Sequence, residues 1–112
     1  MITEKQAIAL LKELTRTNFE ADYNSFYKNM EWFLSYTKHL IEIDKQEEVK
    51  LCFSLADKLW TEGDFTVKNA VENVFVYSLG TLLDLQRSQH IKEIFKESLH
   101  TIYLKQVMAS GI

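Results

Sequence analysis

Glu97 and His100 stand three residues apart in a stretch of helical periodicity, so a carboxylate and an imidazole share one face of one turn. This is the E-x-x-H step from which di-metal helical bundles are built, and such a site needs two steps and two further carboxylates. His39 and His90 are preceded at the same spacing by Tyr36 and Arg87, so the second step is missing. The pair therefore reads as solvated side chains, and no metal or other cofactor is expected. Cys52 is the single cysteine and cannot close an internal disulfide, which fits a reducing compartment. A nucleophilic thiol needs an activating base and partial exposure. Cys52 instead falls on an apolar stripe with no histidine near it in sequence, and reads as a buried structural thiol. The chain has no Gly-rich phosphate loop and no G-x-S-x-G elbow. It is not expected to be an enzyme.

Charge and aromatic side chains offer a different chemistry, that of recognition. Between Glu42 and Asp64 the acids Glu42, Asp44, Glu47, Glu48, Asp57, Glu62 and Asp64 face only Lys45, Lys50 and Lys58. Seven acids against three bases leave four excess negative charges. Between Arg87 and Lys105 the balance reverses, with Arg87, Lys92, Lys96 and Lys105 against Glu93 and Glu97. An acidic face suits a basic protein partner, whose approach it would speed and orient. The same acids also suit an ordinary solvated helix with capping carboxylates. The net charge of −3 argues against a nucleic-acid binder working by phosphate neutralisation. Trp32, Tyr36 and Tyr77 lie off the main apolar stripes and are the candidate anchors of an interface, since Trp and Tyr bury large area with few rotors. Tyr77 belongs to a central segment and is expected to be covered by neighbouring helices.

The elements that must position these residues follow from composition and period. The 112 residues make one domain, residues 1–112, without proline and with only three glycines. Helix interiors exclude proline and all-β chains need many glycine turns, so the fold class is all-α. Thr3 and Gln6 form a capping box opening a first helix with Ile8, Leu11 and Leu14 inside. After a connection from Thr15 to about Asp22, a second helix runs from about Asp22 to Ile43. Its stripe is Tyr23, Phe26, Tyr27, Met30, Phe33, Leu34, Leu40 and Ile41, with Thr37 within it. Asp44 and Glu47 predict a second capping box opening helix three, whose inner face holds Val49, Cys52, Phe53, Ala56, Leu59 and Trp60. Gly63 predicts a left-handed stop.

Asp64 or Thr66 then caps a fourth helix. Its run from Val71 to Tyr77 is rich in strand-forming residues, but the apolar pattern from Val67 to Leu83 is too long for a strand. It reads as a central helix, apolar nearly all round, with Gly80 allowing a close crossing or a mild bend. Ser88 caps a last helix carrying Ile91, Ile94, Phe95, Leu99, Ile102 and Tyr103, and Gly111 ends it. The expectation is a compact array of five helices. The N-terminus carries Glu4 and Lys5 early and does not read as a signal peptide, and no apolar run is long enough to span a membrane.

The words "EGDFTVKNAV" at the turn between helices three and four resemble the turn of HEAT-type repeats. Asp64, Val67, Lys68, Ala70 and Val71 match that pattern, in which the Asp caps the second helix and the Val enters the core. No second copy occurs, so a solenoid is not implied. With the short all-helical plan, the same words are similar to small bacterial immunity-type proteins, which bind and neutralise a cognate secreted toxin. The resemblance implies a cytoplasmic bacterial protein that inhibits its toxin stoichiometrically, covering an active site such as the basic cleft of a nuclease, without turnover, cofactor, nucleic acid or membrane. Glu42, Asp44, Glu47, Glu48, Asp57, Glu62 and Asp64 would meet the partner, with Trp32 and Tyr36 as anchors. The alternative is a helical adaptor or regulatory module binding another cellular protein. Oligomeric state is left open, because an exposed apolar face serves a second copy equally well.

Overall fold

The computed structural model describes residues 1–84, 90–95, 97, 99, 102 and 104. They are helical throughout, apart from the turns and one irregular connection, and contain no strand. Helix α1 spans Glu4–Thr15, α2 Phe26–Glu42 and α3 Gln46–Glu62. One continuous helical rod follows, built of α4 (Phe65–Ala70), a π-helical segment (Val71–Val76) and α5 (Tyr77–Asp84). Residues 90–95 are again helical and send Ile91, Ile94 and Phe95 into the core, joined there by Leu99 and Ile102. Ser88, Gly111 and the basic residues Arg87, Lys96 and Lys105 lie outside the described residues, as do His100 and Tyr103.

The rod is the centre of the molecule, packing on α1, α2 and α3. Val67, Ala70, Val71, Phe75, Val76 and Leu79 are all fully buried. Phe75 stacks on Phe33 of α2, with ring centroids 5.1 Å apart, and meets Phe53 of α3 edge-on at 6.4 Å. Phe53 in turn meets Phe95 edge-on at 5.8 Å, tying the last helical residues to the same core. The π segment explains how consecutive apolar residues stay covered. The Tyr77 N–H donates to the carbonyl of Glu72, five residues back, which widens the turn. Phe75 and Val76 are adjacent, and both are buried.

Several boundaries differ from the sequence reading. The capping box at Thr3 and Gln6 forms in both directions, at 2.9 and 3.3 Å. Helix α2, however, begins at Phe26 and not at Asp22. The Asp22 carboxylate accepts the N–H groups of Asn24 and Ser25 at 2.8 and 3.1 Å, an Asx turn that holds residues 22–25 outside the helix. The buried Asn29 completes this corner. Its side-chain oxygen accepts the Asp22 N–H and its amide donates to the Asp22 carbonyl, both at 2.8 Å. Tyr23 is consequently exposed and Tyr27 partly so, although both fit the helical period.

The Asp44–Glu47 capping box does not form. Asp44 has φ 57° and terminates α2, while Lys45 precedes α3 without a side-chain cap. Gly63 does end α3, but with φ −73° and ψ 158°, an extended geometry open to any residue. Of the two candidate caps for the rod, Asp64 is the one used: its carboxylate accepts the Val67 N–H at 3.0 Å.

Candidate partner-binding surface

Helix α2 places Trp32 and Tyr36 one turn apart on its outer flank, both half-buried. Their rings stack at 5.6 Å, and Trp32 stacks more tightly on Phe19 at 4.0 Å with an interplanar angle of 14°. Lys12 of α1 sits over the Phe19 ring, 5.8 Å from its centroid. The result is a ladder of three aromatic rings with a cation at one end. At the other end stands Glu48 of α3. Partial burial raises the Tyr36 pKa first, and its titratable neighbours Cys52 and Glu48 raise it further. Tyr36 therefore stays a hydrogen-bond donor over the whole neutral range.

The seven acids divide by place. Glu42, Asp44, Glu47 and Glu48 cluster around the α2–α3 turn, all exposed, and Glu48 acts electrostatically on Tyr36. Asp57, Glu62 and Asp64 belong to the opposite end of α3. The fifteen residues from Glu47 to Glu62 span about 22 Å of helix, so the two groups do not form one patch. Asp64 is also committed to the structure as the cap of α4, and Asp57 is half-buried. Glu62 lines an open groove with Met1, Ile2, Leu10 and Lys58.

Several surface residues have no signature in the sequence. Phe19 lies in the irregular connection, where no period marks it as part of a stack. Ile43 and Leu51 are exposed aliphatics beside the acidic turn, at 48% and 55% of full exposure. Phe65 is 80% exposed at the start of the rod. Tyr77, expected to be covered by neighbouring helices, is instead 65% exposed, in keeping with its place off the main apolar stripe. Trp60 is the contrary case: its indole N–H donates to Glu72 at 2.6 Å and Lys68 lies over its ring at 4.6 Å, which locks α3 to the rod.

Cys52 is fully buried, and burial pushes its thiol up to about 11, against the opposing hydrogen bond with Thr37 and with a further push from Glu48. A thiol so placed is a packing group. His39, His90 and Glu97 are exposed. Among the described residues, no three His, Cys, Asp or Glu side chains lie close enough to share a metal ion. Near α1, Glu4, Ile8, Tyr23 and Phe26 enclose a hollow of only about 70 Å³, room for little more than water. No helix among the described residues is long and apolar enough to cross a membrane.

Residues 5–109 match the model of a family described as a domain of unknown function, DUF7674. Comparison with curated proteins and with solved structures gave no match.

Proposed function

The chain belongs to the DUF7674 family, and we propose that it is a protein-binding module of the immunity type, which neutralises a cognate secreted toxin by seating on it one to one. The observation that carries the reading is the Phe19–Trp32–Tyr36 ladder with Glu48 acting on its Tyr36 end, Glu48 itself belonging to the exposed acidic turn of Glu42, Asp44 and Glu47. Large rigid rings beside free carboxylates are the composition of an interface hot spot for a basic protein. The rings supply area at little conformational cost. The acids, none of them ion-paired with a described residue, steer and orient the partner. Binding of this kind needs no turnover and no cofactor, and it would take place in the bacterial cytoplasm, before the toxin acts.

Co-expression with the product of the upstream gene tests the proposal. The expected result is rescue of growth and a stable one-to-one complex that Tyr36→Ala and Trp32→Ala weaken. Binding without rescue would favour an adaptor of another cellular protein. A pair that neither binds nor rescues overturns the immunity reading for that partner.

A further inference from the structure

The outward face of α3 carries a pattern that the core does not use. Glu47, Leu51, Ser54 and Lys58 recur at steps of four, three and four, a single seam along the helix, and all four are exposed. The opposite face, Val49, Cys52, Phe53, Ala56 and Leu59, is buried in the core. Lys50 and Asp57 flank the seam. None of the four charged residues is ion-paired with a described residue. Glu47 and Lys58 are about 16 Å apart along the helix and cannot reach each other within one chain.

We infer that this seam is a contact with a second copy of the chain, α3 against α3, antiparallel about a two-fold axis midway between Glu47 and Lys58. Antiparallel alignment sets Glu47 of one copy against Lys58 of the other and brings Lys50 to within about 3 Å, two residues of helix rise, of the level of Asp57, each pair occurring twice by symmetry. Leu51 of each copy meets Ser54 of the other near the axis, where the small serine lets the two backbones approach. Parallel alignment would instead put Glu47 on Glu47 and Lys58 on Lys58, so the charge order selects the antiparallel form. A contact of one helix on one helix belongs to the small, weak class of interfaces, and its pairs are screened by salt. Glu47 is shared with the surface proposed above, so a basic partner at the turn and the second copy exclude each other.

The test uses the purified chain alone, so its failure is separate from any failure of the immunity reading. Sedimentation equilibrium over rising protein concentration, at low and high salt, is expected to show a monomer–dimer equilibrium that salt weakens. Leu51→Lys, Glu47→Lys and Lys58→Glu should each weaken it about tenfold or more, with helical content unchanged by circular dichroism. The double swap Glu47→Lys with Lys58→Glu should bring the dimer back. A mass of one chain at every concentration overturns the inference. So does a dimer indifferent to the single reversals, or a double swap as weak as its parents.

Discussion

Helix α3 is bounded by two turns that look alike in sequence and behave differently. Each has an Asp followed within a few residues by a helical run, Asp44 before α3 and Asp64 before α4. At the second turn everything is tied. The Ile2 N–H donates to the Glu62 carbonyl at 2.7 Å and the Asp64 N–H donates back to the Ile2 carbonyl at 2.9 Å, so Ile2 clamps the corner from outside. The Asp64 carboxylate caps α4. At the first turn all the bonds are local. The Asp44 N–H donates to the Ile41 carbonyl at 3.1 Å and the Lys45 N–H to the Leu40 carbonyl at 2.9 Å. This is a Schellman closure of α2, with Asp44 in the left-handed position that glycine favours. The Asp44 carboxylate accepts only the exposed Gln46 amide, at 3.0 Å. The lesson is that an acid at a clamped corner is spent on the fold. An acid at a closed but unclamped corner remains available to a partner.

The largest way to break this contrast is Gly63→Ala. A β-carbon at Gly63 would run into the Leu59 carbonyl and lie 2.6 Å from Val67 Cγ1 and 2.9 Å from its Cβ. The glycine is required for space, since its dihedral angles are open to any residue. Val67 is fully buried and cannot retreat. The substitution should cost about 3 kcal/mol, read as a fall in the urea midpoint with the slope unchanged. A loss within experimental error would show that the corner relaxes freely and is not a clamp. Next in size is Asp64→Ala, which leaves the Val67 N–H without its acceptor. It should cost about 1 kcal/mol, and Asp64→Asn should recover most of that.

Much of the fold was legible because it rests on repeating features. The absence of proline, the periodic apolar residues and the Thr3–Gln6 box each point to a helix locally, and the core agrees with them. The length of the pattern from Val67 to Leu83 likewise pointed to one rod, and Val71 to Val76 is helical. What was not legible is decided by competition. Asp22 and Asp44 both sit where a cap is plausible, yet Asp22 bonds the next two amides and Asp44 serves the preceding helix. Only the tertiary tie through Asn29, or the closure onto Leu40 and Ile41, selects the outcome. The π turn, which packs on α2 and α3, has no local signature. The candidate surface is similar: Trp32 and Tyr36 could be picked from their place off the stripe, whereas Phe19 joins them only when the irregular connection folds back.

Two smaller effects sharpen the comparison from the side of the free turn. Glu47 and Glu48 lie in the first turn of α3, where the helix dipole favours negative charge. Reversing both to Lys should cost about 0.7 kcal/mol in chemical denaturation, while lowering affinity for a basic partner by far more, about tenfold for each 1.4 kcal/mol of binding lost. An unchanged affinity would remove these two acids from the binding surface.

The last and smallest effect is Asp44→Gly. The left-handed φ of 57° strains any residue with a β-carbon, less for Asp than for most, and glycine removes that strain. Against this, glycine gains more freedom in the unfolded chain, and the exposed bond to Gln46 is lost. The strain is present in every folded molecule, while a solvent-exposed side-chain bond contributes little. The balance should fall near 0.5 kcal/mol of stabilisation, a rise in Tm of about 3 °C. At the clamped turn the corresponding change, Asp64→Gly, has no left-handed strain to relieve, since Asp64 has φ −70°, so the lost capping carboxylate and the added freedom of the unfolded chain both lower stability. Opposite signs for the same substitution at two similar sequence positions would show that Asp44 is held by backbone geometry alone. A loss of stability at both would show that the left-handed strain at Asp44 is smaller than the freedom glycine gains in the unfolded chain together with the bond to Gln46.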